Sequence, residues 1–227
     1  MKGWVEGPEA RDDLPEPEGD TIVAVRATSV NNIDRFTKGV LGHDFAGVTD
    51  DGSEVFGVVW GGAWAERIVP GELIAPKPSS LSMAEAGAAG LAGLFALVYV
   101  ESLGLKGGER VLIEGANGGA GAFAIQLCVA AGATVITPAL AIDEAYLRGL
   151  GASEVVSREE HPATDHVIDF VSPARGIMAS NGSMARLGEL IDAHSIRVPI
   201  CEAFSFGQVP EALEAFGEHK QGKLSVA

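Results

Sequence analysis

A glycine-rich turn in the middle of the chain is the segment best suited to chemistry. It follows a short apolar run, ERVLIEG, and leads into an alanine-rich run, GAFAIQLCVAAG, after which a second apolar run, ATVITP, begins. Glycine lets the backbone approach a ligand closely, and the free N–H groups at the start of a helix attract anions. The turn therefore predicts a site for the pyrophosphate of a dinucleotide. The residues assigned to this site are Gly115, Asn117, Gly118, Gly119, Ala120 and Gly121.

The runs around the turn predict the elements that position it. A short apolar run between glycines is typical of a buried parallel strand, and the alanine-rich run predicts a helix that ends at Gly132. Strand, turn, helix and strand form a βαβ unit, whose crossover is almost always right-handed. A tight turn that binds nothing could contain the same glycines, and this alternative stays open. The strands on both sides favour the anion site.

Composition limits the classes to which the chain can belong. It has 227 residues, 47% of them hydrophobic, which suffices for the packed core of one or two domains. The net charge of −15 argues against nucleic acid and anionic membranes as partners, so a phosphate-bearing ligand needs a local positive site. We expect no apolar run of the roughly 20 residues that span a membrane, and no signal peptide. Two distant cysteines, Cys128 and Cys201, indicate a reducing compartment, so we expect a cytoplasmic protein.

Further segments carry a family resemblance. With the glycine turn, SVNNIDRFTKG, LGHDFAG, GGAWAERIVP, LGLKGGERVLIEGA and the closing GKLSV resemble, in order, the medium-chain dehydrogenase/reductase superfamily in its zinc-free quinone oxidoreductase branch. The resemblance covers most of the chain. It implies an α/β fold in which a Rossmann-type cofactor domain, with an abridged parallel sheet, is inserted in a GroES-like β domain. The implied boundaries are 1–81 and 183–227 for the GroES-like catalytic domain and 82–182 for the Rossmann-type dinucleotide-binding domain.

The resemblance also bears on metal binding. Zinc-dependent members hold their metal with a cysteine near the start, a Gly-His-Glu segment and a later cysteine or aspartate. This chain keeps His43 and Asp44 in its GHD segment, but Asn31 stands in place of the first cysteine and no later cysteine falls at the required place. Two ligands without a third make a poor tetrahedral zinc site, so we expect no metal.

For a zinc-free member, the resemblance implies hydride transfer from NADPH to a quinone or another α,β-unsaturated carbonyl, which makes the substrate a small molecule. The cofactor performs the hydride step, and the protein supplies orientation and stabilises the developing negative charge. In VNNID, Asn31 and Asp34 match a polar pair that lies near the nicotinamide in this branch. We predict that Asn31 holds the substrate or the cofactor amide and that Asp34 orients it. Turn hydrogen bonding is the alternative for both residues.

Aromatic departures from the family pattern weaken the redox assignment. Phe36 stands where relatives often have a tyrosine, so no phenol is expected to donate the final proton, and water is assigned that role. In relatives, a threonine lies close to the nicotinamide at the position of Phe95. Three interpretations of Phe95 stay open: it packs on the nicotinamide ring, it fills the space that the ring needs, or it is an ordinary core residue. A second function therefore stays open: a member that keeps the fold, with or without the nucleotide, as a non-redox biosynthetic enzyme or a binding protein.

The choice between NADPH and NADH depends on residues after the second strand. That strand ends without the acid that NAD enzymes place there, and Asp143 occupies a position at which NADPH-dependent relatives have a lysine. Thr137 is the one remaining hydroxyl. Arg158 could reach a phosphate, although a solvated charge beside two glutamates is the alternative, and Asn181 is assigned to the nicotinamide end. We predict NADPH and do not exclude NADH.

The connections late in the cofactor domain are unusually short. Parallel strands need crossovers of about a dozen residues or more, but only residues 158–165 separate SEVVS from HVIDFV, and only 172–175 separate HVIDFV from GIMAS. The last segment therefore pairs differently, lies outside the sheet, or follows residues that this sequence omits. Relatives often dimerise through this edge, and a homodimer is compatible with the resemblance.

Overall fold

The computed structural model describes residues 1–172 and 182–227 of the chain. Its strands are β1 (Gly3–Val5), β2 (Glu9–Arg11), β3 (Val23–Ser29), β4 (Asp44–Thr49), β5 (Glu54–Val58), β6 (Arg67–Ile68), β7 (Ile74–Pro76), β8 (Arg110–Glu114), β9 (Thr134–Pro138), β10 (Glu154–Val156), β11 (His166–Asp169), β12 (Ile200–Phe204) and β13 (Lys223–Val226). Its helices are α1 (Met83–Leu103), α2 (Gly119–Ala130), α3 (Glu144–Leu150), α4 (Met184–His194) and α5 (Val209–Ala215). Short 3-10 turns occupy Asn32–Phe36, Ala141–Asp143 and Phe206–Gln208.

Four strands form the parallel sheet that the sequence predicts. The order of the sheet is β10-β9-β8-β11, and β8 pairs in parallel with β9. Strand β8 buries Val111, Leu112 and Ile113, as expected for a short apolar run that is covered on both faces. Helix α2 leads from β8 to β9, and α3 leads from β9 to β10. The predicted βαβ unit is therefore confirmed, with the glycine turn at the carboxyl end of its first strand.

The chain passes from β10 to β11 without a helix. Strand β10 lies at one edge of the sheet and β11 at the other, where β11 pairs in parallel with β8. The connecting residues 157–165 form a turn and extended backbone. Asp165 secures the entry to β11, because its N–H donates to the Arg110 carbonyl at 2.9 Å and its carboxylate accepts from the Arg110 N–H at 2.8 Å. The predicted further strand in GIMAS lies outside the described residues.

The first and last parts of the chain share a second sheet. Its order is β12-β13-β3-β4-β5-β7, and β6 pairs with the start of β3. Strand β13, close to the end of the sequence, pairs antiparallel with β3 and parallel with β12. This arrangement confirms the predicted fold class, a Rossmann-type parallel sheet combined with a GroES-like β domain. The residue boundaries of the two domains stay a prediction.

Helix α1 lies between the two sheets. Ser82 caps its start in a capping box with Glu85, and Gly104, at φ 60°, ends it. The helix is long and apolar enough to span a membrane, so the expectation that no apolar run reaches this length was wrong. Most of its small apolar side chains are buried in the core against both sheets, which is the position of a core helix.

Two glycines let α1 touch the β domain closely. A Cβ on Gly87 would lie 2.6 Å from the Ala27 carbonyl carbon, and a Cβ on Gly90 would lie 2.7 Å from the Gly57 carbonyl oxygen. The helix therefore packs its backbone directly on the β domain. This close contact fixes the two walls of the cleft that separates the domains.

Candidate active site

The glycine turn presents unpaired N–H groups at the start of α2. Gly118 is the N-cap residue, with φ −79° and ψ 175°. Within residues 1–172 and 182–227, no acceptor receives the N–H of Ala120 or Gly121. Helix N–H groups point toward the N-terminal end, where the helix dipole also favours negative charge. This end of α2 can therefore bind an anion.

The glycines of the turn serve two different purposes. A Cβ on Gly121 would lie 2.4 Å from Ala116 Cα and 2.5 Å from the Gly115 carbonyl oxygen, so Gly121 lets the helix pack on its own turn. A Cβ on Gly118 would meet only the Gly115 carbonyl oxygen, at 3.5 Å, among the atoms that the structure describes. Gly118 is therefore a position at which the described part of the protein does not itself require a glycine.

Asn117 ties the turn to the tail of the chain. Its side-chain amide donates to the Lys220 carbonyl at 3.1 Å, and its own carbonyl accepts from the Gly222 N–H at 2.8 Å. The side-chain amide of Asn117 is thus already hydrogen-bonded within the protein, and a contact of Asn117 with the cofactor stays a prediction. These bonds bring the tail, with Lys220 and Lys223, next to the start of α2.

An open cleft of about 600 Å³ lies between the turn and the β domain. The turn lines one side through Gly115 and the run 118–121, and Asn31 lines the other. Lys220 and Lys223 also line the cleft, and the part of its lining that the structure describes contains no aspartate or glutamate. The charge of Lys223 is paired with the buried Asp44, so Lys220 and the start of α2 are the features that favour an anion here in a chain with a net charge of −15.

Asn31 belongs to a buried network of charged and polar groups. Its side-chain NH2 donates to Asp44 Oδ2 at 2.8 Å, and its side-chain carbonyl accepts from Lys223 Nζ at 2.6 Å. Lys223 and Asp44 form an ion pair at 3.3 Å, with 4% and 0% of their side chains exposed. The Asp44 carboxylate also accepts from the Ser29 hydroxyl and the Leu91 N–H. Buried charges need such pairing and hydrogen bonding, and this network provides both.

Asp34 acts on Asn31 from outside the cleft. One of its carboxylate oxygens accepts the backbone N–H of Asn31 at 2.6 Å, and the other lies 2.6 Å from His43 Nδ1. Burial raises the pKa of the Asp34 carboxyl, and its hydrogen bond with His43 opposes this shift. Asp34 does not line the cleft, so any effect that it has on a ligand passes through Asn31.

The contacts of His43 and Asp44 do not suit a metal site. His43 Nδ1 is bonded to Asp34, and both carboxylate oxygens of Asp44 accept hydrogen bonds within the buried network. The described parts of the chain contain no cluster of three histidine, cysteine, aspartate or glutamate side chains that could hold an ion. Zinc independence stays a prediction that this set of donors supports.

Aromatic side chains form the apolar end of the cleft. Phe95 and Phe170 line it with their ring centroids 5.9 Å apart, and Tyr99 packs against both rings at 5.4 Å. Phe95 is half-buried, so part of its ring faces the cleft. At the mouth, Phe36 is 73% exposed and Trp60 is 56% exposed. The cleft therefore leads from a positive turn to an apolar wall and an apolar mouth.

Two predicted cofactor residues, Thr137 and Arg158, do not line this cleft. Thr137 is fully buried, and its hydroxyl contacts the Pro138 carbonyl at 3.4 Å. Arg158 is exposed just after β10. Asn181 lies outside the described residues. The cofactor roles of these residues stay predictions.

Asp143 does not offer its carboxylate to a ribose. The residue is fully buried, and one of its oxygens is bonded to His219 Nε2 at 2.9 Å and to Gln221 Nε2 at 3.0 Å. The stretch 139–143 after β9 therefore presents no accessible acid of the kind that NAD enzymes use.

Three residues of the site, Lys220, Lys223 and Phe170, were not predicted. The available signal for Lys223 was the closing GKLSV segment. This segment contributes to the family resemblance, but no function was assigned to its lysine. Phe170 follows β11 directly, at the same edge of the sheet as the glycine turn. Ligands bind outside the carboxyl ends of parallel strands, and this rule was the available signal for Phe170.

Comparison with curated proteins gives several relatives, although no protein-family model matches the chain. The chain is 38% identical over 105 residues to the putative quinone oxidoreductase YhfP of Bacillus subtilis and 37% identical over 110 residues to a crotonyl-CoA reductase of Streptomyces avermitilis. It is 31% identical over 229 residues to the spectinabilin polyketide synthase system protein NorB of Streptomyces orinoci. These matches cover 44%, 44% and 91% of this chain, but only 32%, 25% and 10% of the respective relatives.

Solved structures share the fold over nearly the whole chain. The quinone oxidoreductase from Coxiella burnetii has a TM-score of 0.81 at 24% identity, covering 99% of this chain and 98% of that one. The quinone oxidoreductase from Thermus thermophilus, also crystallised with NADPH, has a TM-score of 0.78 at 23% identity, covering 100% and 99%. With the curated relatives, this fold confirms the resemblance to the medium-chain dehydrogenase/reductase superfamily.

Proposed function

We propose that the chain is an NAD(P)H-dependent reductase that transfers a hydride to a quinone or another α,β-unsaturated carbonyl. The observation that carries this proposal is one cleft that joins the unpaired N–H groups at the start of α2 to the side-chain amide of Asn31. A dinucleotide needs the first feature for its pyrophosphate, and a carbonyl substrate needs the second as a hydrogen-bond donor. The names of the relatives, a quinone oxidoreductase and a crotonyl-CoA reductase, support conjugated carbonyls as substrates.

The residues of the cleft fit a nicotinamide dinucleotide. Space is open beside Gly118, and the N–H groups of Ala120 and Gly121 lack acceptors among the described residues. Lys220 adds positive charge next to this end of the helix, whereas the charge of Lys223 is paired with Asp44. The half-buried rings of Phe95 and Phe170 offer a flat apolar wall on which an aromatic ring can pack.

We favour NADPH over NADH as the cofactor. The carboxylate of Asp143 is buried and bonded to His219, so it is not available to the hydroxyls of an adenosine ribose. Arg158, which is exposed at the carboxyl end of β10, is a candidate to pair with the additional phosphate of NADPH.

Asn31 has the main chemical role in this proposal. A bound NAD(P)H would supply the hydride, which adds to the carbon β to the carbonyl. Asn31 donates a side-chain N–H to the carbonyl oxygen, on which negative charge develops as the hydride is added. No tyrosine lines the described part of the cleft, so water supplies the proton that completes the reduction at the α-carbon.

One experiment separates this function from the non-redox alternative. That alternative, a fold that binds nucleotide without turnover, is supported by Phe95, whose ring occupies part of the cleft. Nicotinamide fluorescence is followed while NADPH and then NADH are added, and quinones, enones and aldehydes are added afterwards. The proposal expects NADPH to bind and to be oxidised with a quinone or an enone. Binding without oxidation by any acceptor would support the alternative, and a lack of binding would contradict the reductase.

Gly118→Ala is expected to weaken NADPH binding by about tenfold, on the order of 1.4 kcal/mol, without lowering the melting temperature. The added methyl group meets only one protein atom, at 3.5 Å, and the backbone angles at this residue suit alanine, so the fold is unaffected. The methyl group does occupy the space in which a pyrophosphate approaches the N–H groups. Fluorescence titration and thermal unfolding measure the two effects.

Gly149→Ala is the matched control for this variant. A Cβ at Gly149, in α3, would have open space around it and would lie away from the cleft. Its NADPH affinity should equal that of the wild type. If Gly118→Ala also binds NADPH with unchanged affinity, the pyrophosphate does not lie at this turn.

Trp60→Ala is expected to raise the KM for enones that carry a large apolar group by roughly fivefold, on the order of 1 kcal/mol of lost apolar contact. Trp60 lines the mouth of the cleft and is 56% exposed, so its removal leaves the core intact. Ile142→Ala, which removes a similarly exposed apolar side chain outside the cleft, serves as the control. Steady-state kinetics on a series of enones of increasing size measure the effect, and an equal change for the smallest enone would contradict it.

We also propose that the protein is soluble and acts in the cytoplasm, because the one long apolar helix of its described residues is packed in the core. A homodimer stays a proposal that rests on the family resemblance. Light scattering on the purified protein gives the mass of the particle and decides between a monomer and a dimer.

A further inference from the structure

We propose that Lys223 and Asp44 are positioning residues that fix the direction of the Asn31 side-chain amide, so that its remaining N–H is free for a ligand in the cleft. The inference rests on the proposed function for the identity of that ligand, a carbonyl oxygen. The orientation of the amide itself can be tested without any ligand.

The two charged groups select one of the two orientations of the amide. The ammonium of Lys223 has only donors, and it lies 2.6 Å from the Asn31 carbonyl oxygen. The ionised carboxylate of Asp44 has only acceptors, and it lies 2.8 Å from the Asn31 amide nitrogen. A flipped amide would place its NH2 against the ammonium and its oxygen against the carboxylate. The flipped orientation is therefore strongly disfavoured.

The selected orientation leaves one donor unused. An amide NH2 has two hydrogens, and one of them is bonded to Asp44. No acceptor within the described residues takes the second hydrogen, while Asn31 lines the cleft with 9% of its surface exposed. A donor that is already oriented needs no reorganisation when charge develops on a substrate oxygen.

Elements from both domains hold the pair in place. Lys223 Nζ also donates to the Val30 carbonyl at 3.2 Å, and the stem of Lys223 lies against Gly119, where a Cβ would be 2.4 Å from Lys223 Cδ. Asp44 also accepts from the Ser29 hydroxyl, and the N–H of a residue in α1 donates to it. The position of Asn31 is thus linked to the start of α2 and to the helix that joins the domains.

Stability alone does not require charges at these two positions. A buried ion pair can often be replaced by neutral side chains of similar size without loss of stability, because removing both charges from water costs about as much as their attraction returns. A neutral pair would not select one orientation of the Asn31 amide, since an asparagine in place of Asp44 offers both a donor and an acceptor to its neighbour. The charges therefore provide direction to the amide.

The test compares a single variant with a double variant. Lys223→Met leaves Asp44 buried without its cation, and we expect a large fall in melting temperature. Asp44→Asn with Lys223→Met removes both charges and keeps similar volumes, so most of the melting temperature should return. We expect the kcat of the double variant to stay about tenfold below that of the wild type, with KM for NADPH within about twofold. Lys223→Arg keeps a donor-only cation, and we expect it to recover most of kcat.

Lys77→Met is the matched control. Lys77 is also a nearly buried lysine, 11% exposed, whose Nζ donates to the Leu81 carbonyl at 2.7 Å and pairs with Glu54 at 3.3 Å. It lies outside the cleft. Loss of its ammonium should lower the melting temperature and leave kcat unchanged. A fall in kcat of similar size in Lys77→Met would show that destabilisation alone explains the effect of Lys223.

A spectroscopic measurement tests the orientation even if no reductase activity is found. The side-chain NH2 of Asn31 gives two ¹H–¹⁵N signals, which are assigned by their loss in Asn31→Ala. In the wild type, we expect two well-separated proton shifts, because one hydrogen is bonded to a carboxylate and the other is free. In the double variant, the separation should collapse or the signals should broaden. Unchanged signals together with wild-type kcat in the double variant would overturn the inference, whereas an inactive wild type would contradict only the proposed function.

Discussion

Asn31→Ala is expected to lower kcat by about a hundredfold, while the affinity for NADPH changes little. Removal of one donor from an oxyanion-stabilising site typically costs a factor of about 100 to 1000 in rate. Asn31 lines the cleft opposite the start of α2 and keeps one N–H free of acceptors among the described residues. Pre-steady-state oxidation of bound NADPH by an enone measures the chemical step apart from product release.

Ser29→Ala separates this effect from damage to the buried network. Ser29 donates its hydroxyl to the same Asp44 oxygen as Asn31, but it does not line the cleft. Both variants remove one hydrogen bond from Asp44, at a cost of about 1 kcal/mol, and Asn31→Ala also removes the acceptor that Lys223 Nζ uses, so it should lose more stability. Only Asn31→Ala should lose the rate. If the two variants lose rate equally, Asn31 contributes to the packing of the network and not to the reaction.

Gly121→Ala is expected to destabilise the fold by about 3 kcal/mol or to prevent folding altogether. A Cβ at this position would lie 2.4 Å from Ala116 Cα, which is backbone and cannot rotate away. The start of α2 would have to move off the strand that precedes it. Urea unfolding followed by circular dichroism measures the free energy of unfolding.

The Gly149→Ala protein is again the control, and it should be as stable as the wild type or slightly more stable, because alanine favours a helix more than glycine does. Wild-type stability for Gly121→Ala would contradict the close packing of α2 on its turn. Gly118→Ala and Gly121→Ala, three residues apart, are thus expected to impair different properties of the protein. The first loses cofactor affinity, and the second loses stability.

The features that the sequence predicts well are those whose residues are neighbours in the chain. The strand, the turn and the helix around Gly118 follow one another, so local propensity and hydrophobic pattern are sufficient to place them. The pattern does not distinguish the two uses of glycine in the turn. That distinction depends on which atoms surround each Cβ position, and only the folded structure provides them.

The buried network could not be predicted in the same way. Asn31 and Lys223 are 192 residues apart and meet only because β13 pairs with β3. The sequence singles out Asn31 through its motif, but its partners depend on the tertiary structure. Likewise, the hydrogen bond between Asp34 and His43 depends on the loop conformation, and their spacing in the sequence does not predict it.

The apolar run in α1 was missed for a compositional reason. Nine of its 21 residues are alanine or glycine, which are only moderately hydrophobic one by one, and its two glutamates stand near its ends. Summed over the helix, these residues are as apolar as a membrane span. Their small size lets the helix pack closely between two sheets, and Gly87 and Gly90 make this contact with the β domain.

Transfer of a labelled hydride is the decisive measurement for this protein. NADPH that carries deuterium at both C4 positions is incubated with the protein and a simple enone, and the product is examined by mass spectrometry and proton NMR. We expect one deuterium at the carbon β to the carbonyl and a solvent-derived hydrogen at the α-carbon. Tight binding of NADPH without deuterium in any product, across quinones and enones, would contradict the assignment as a reductase.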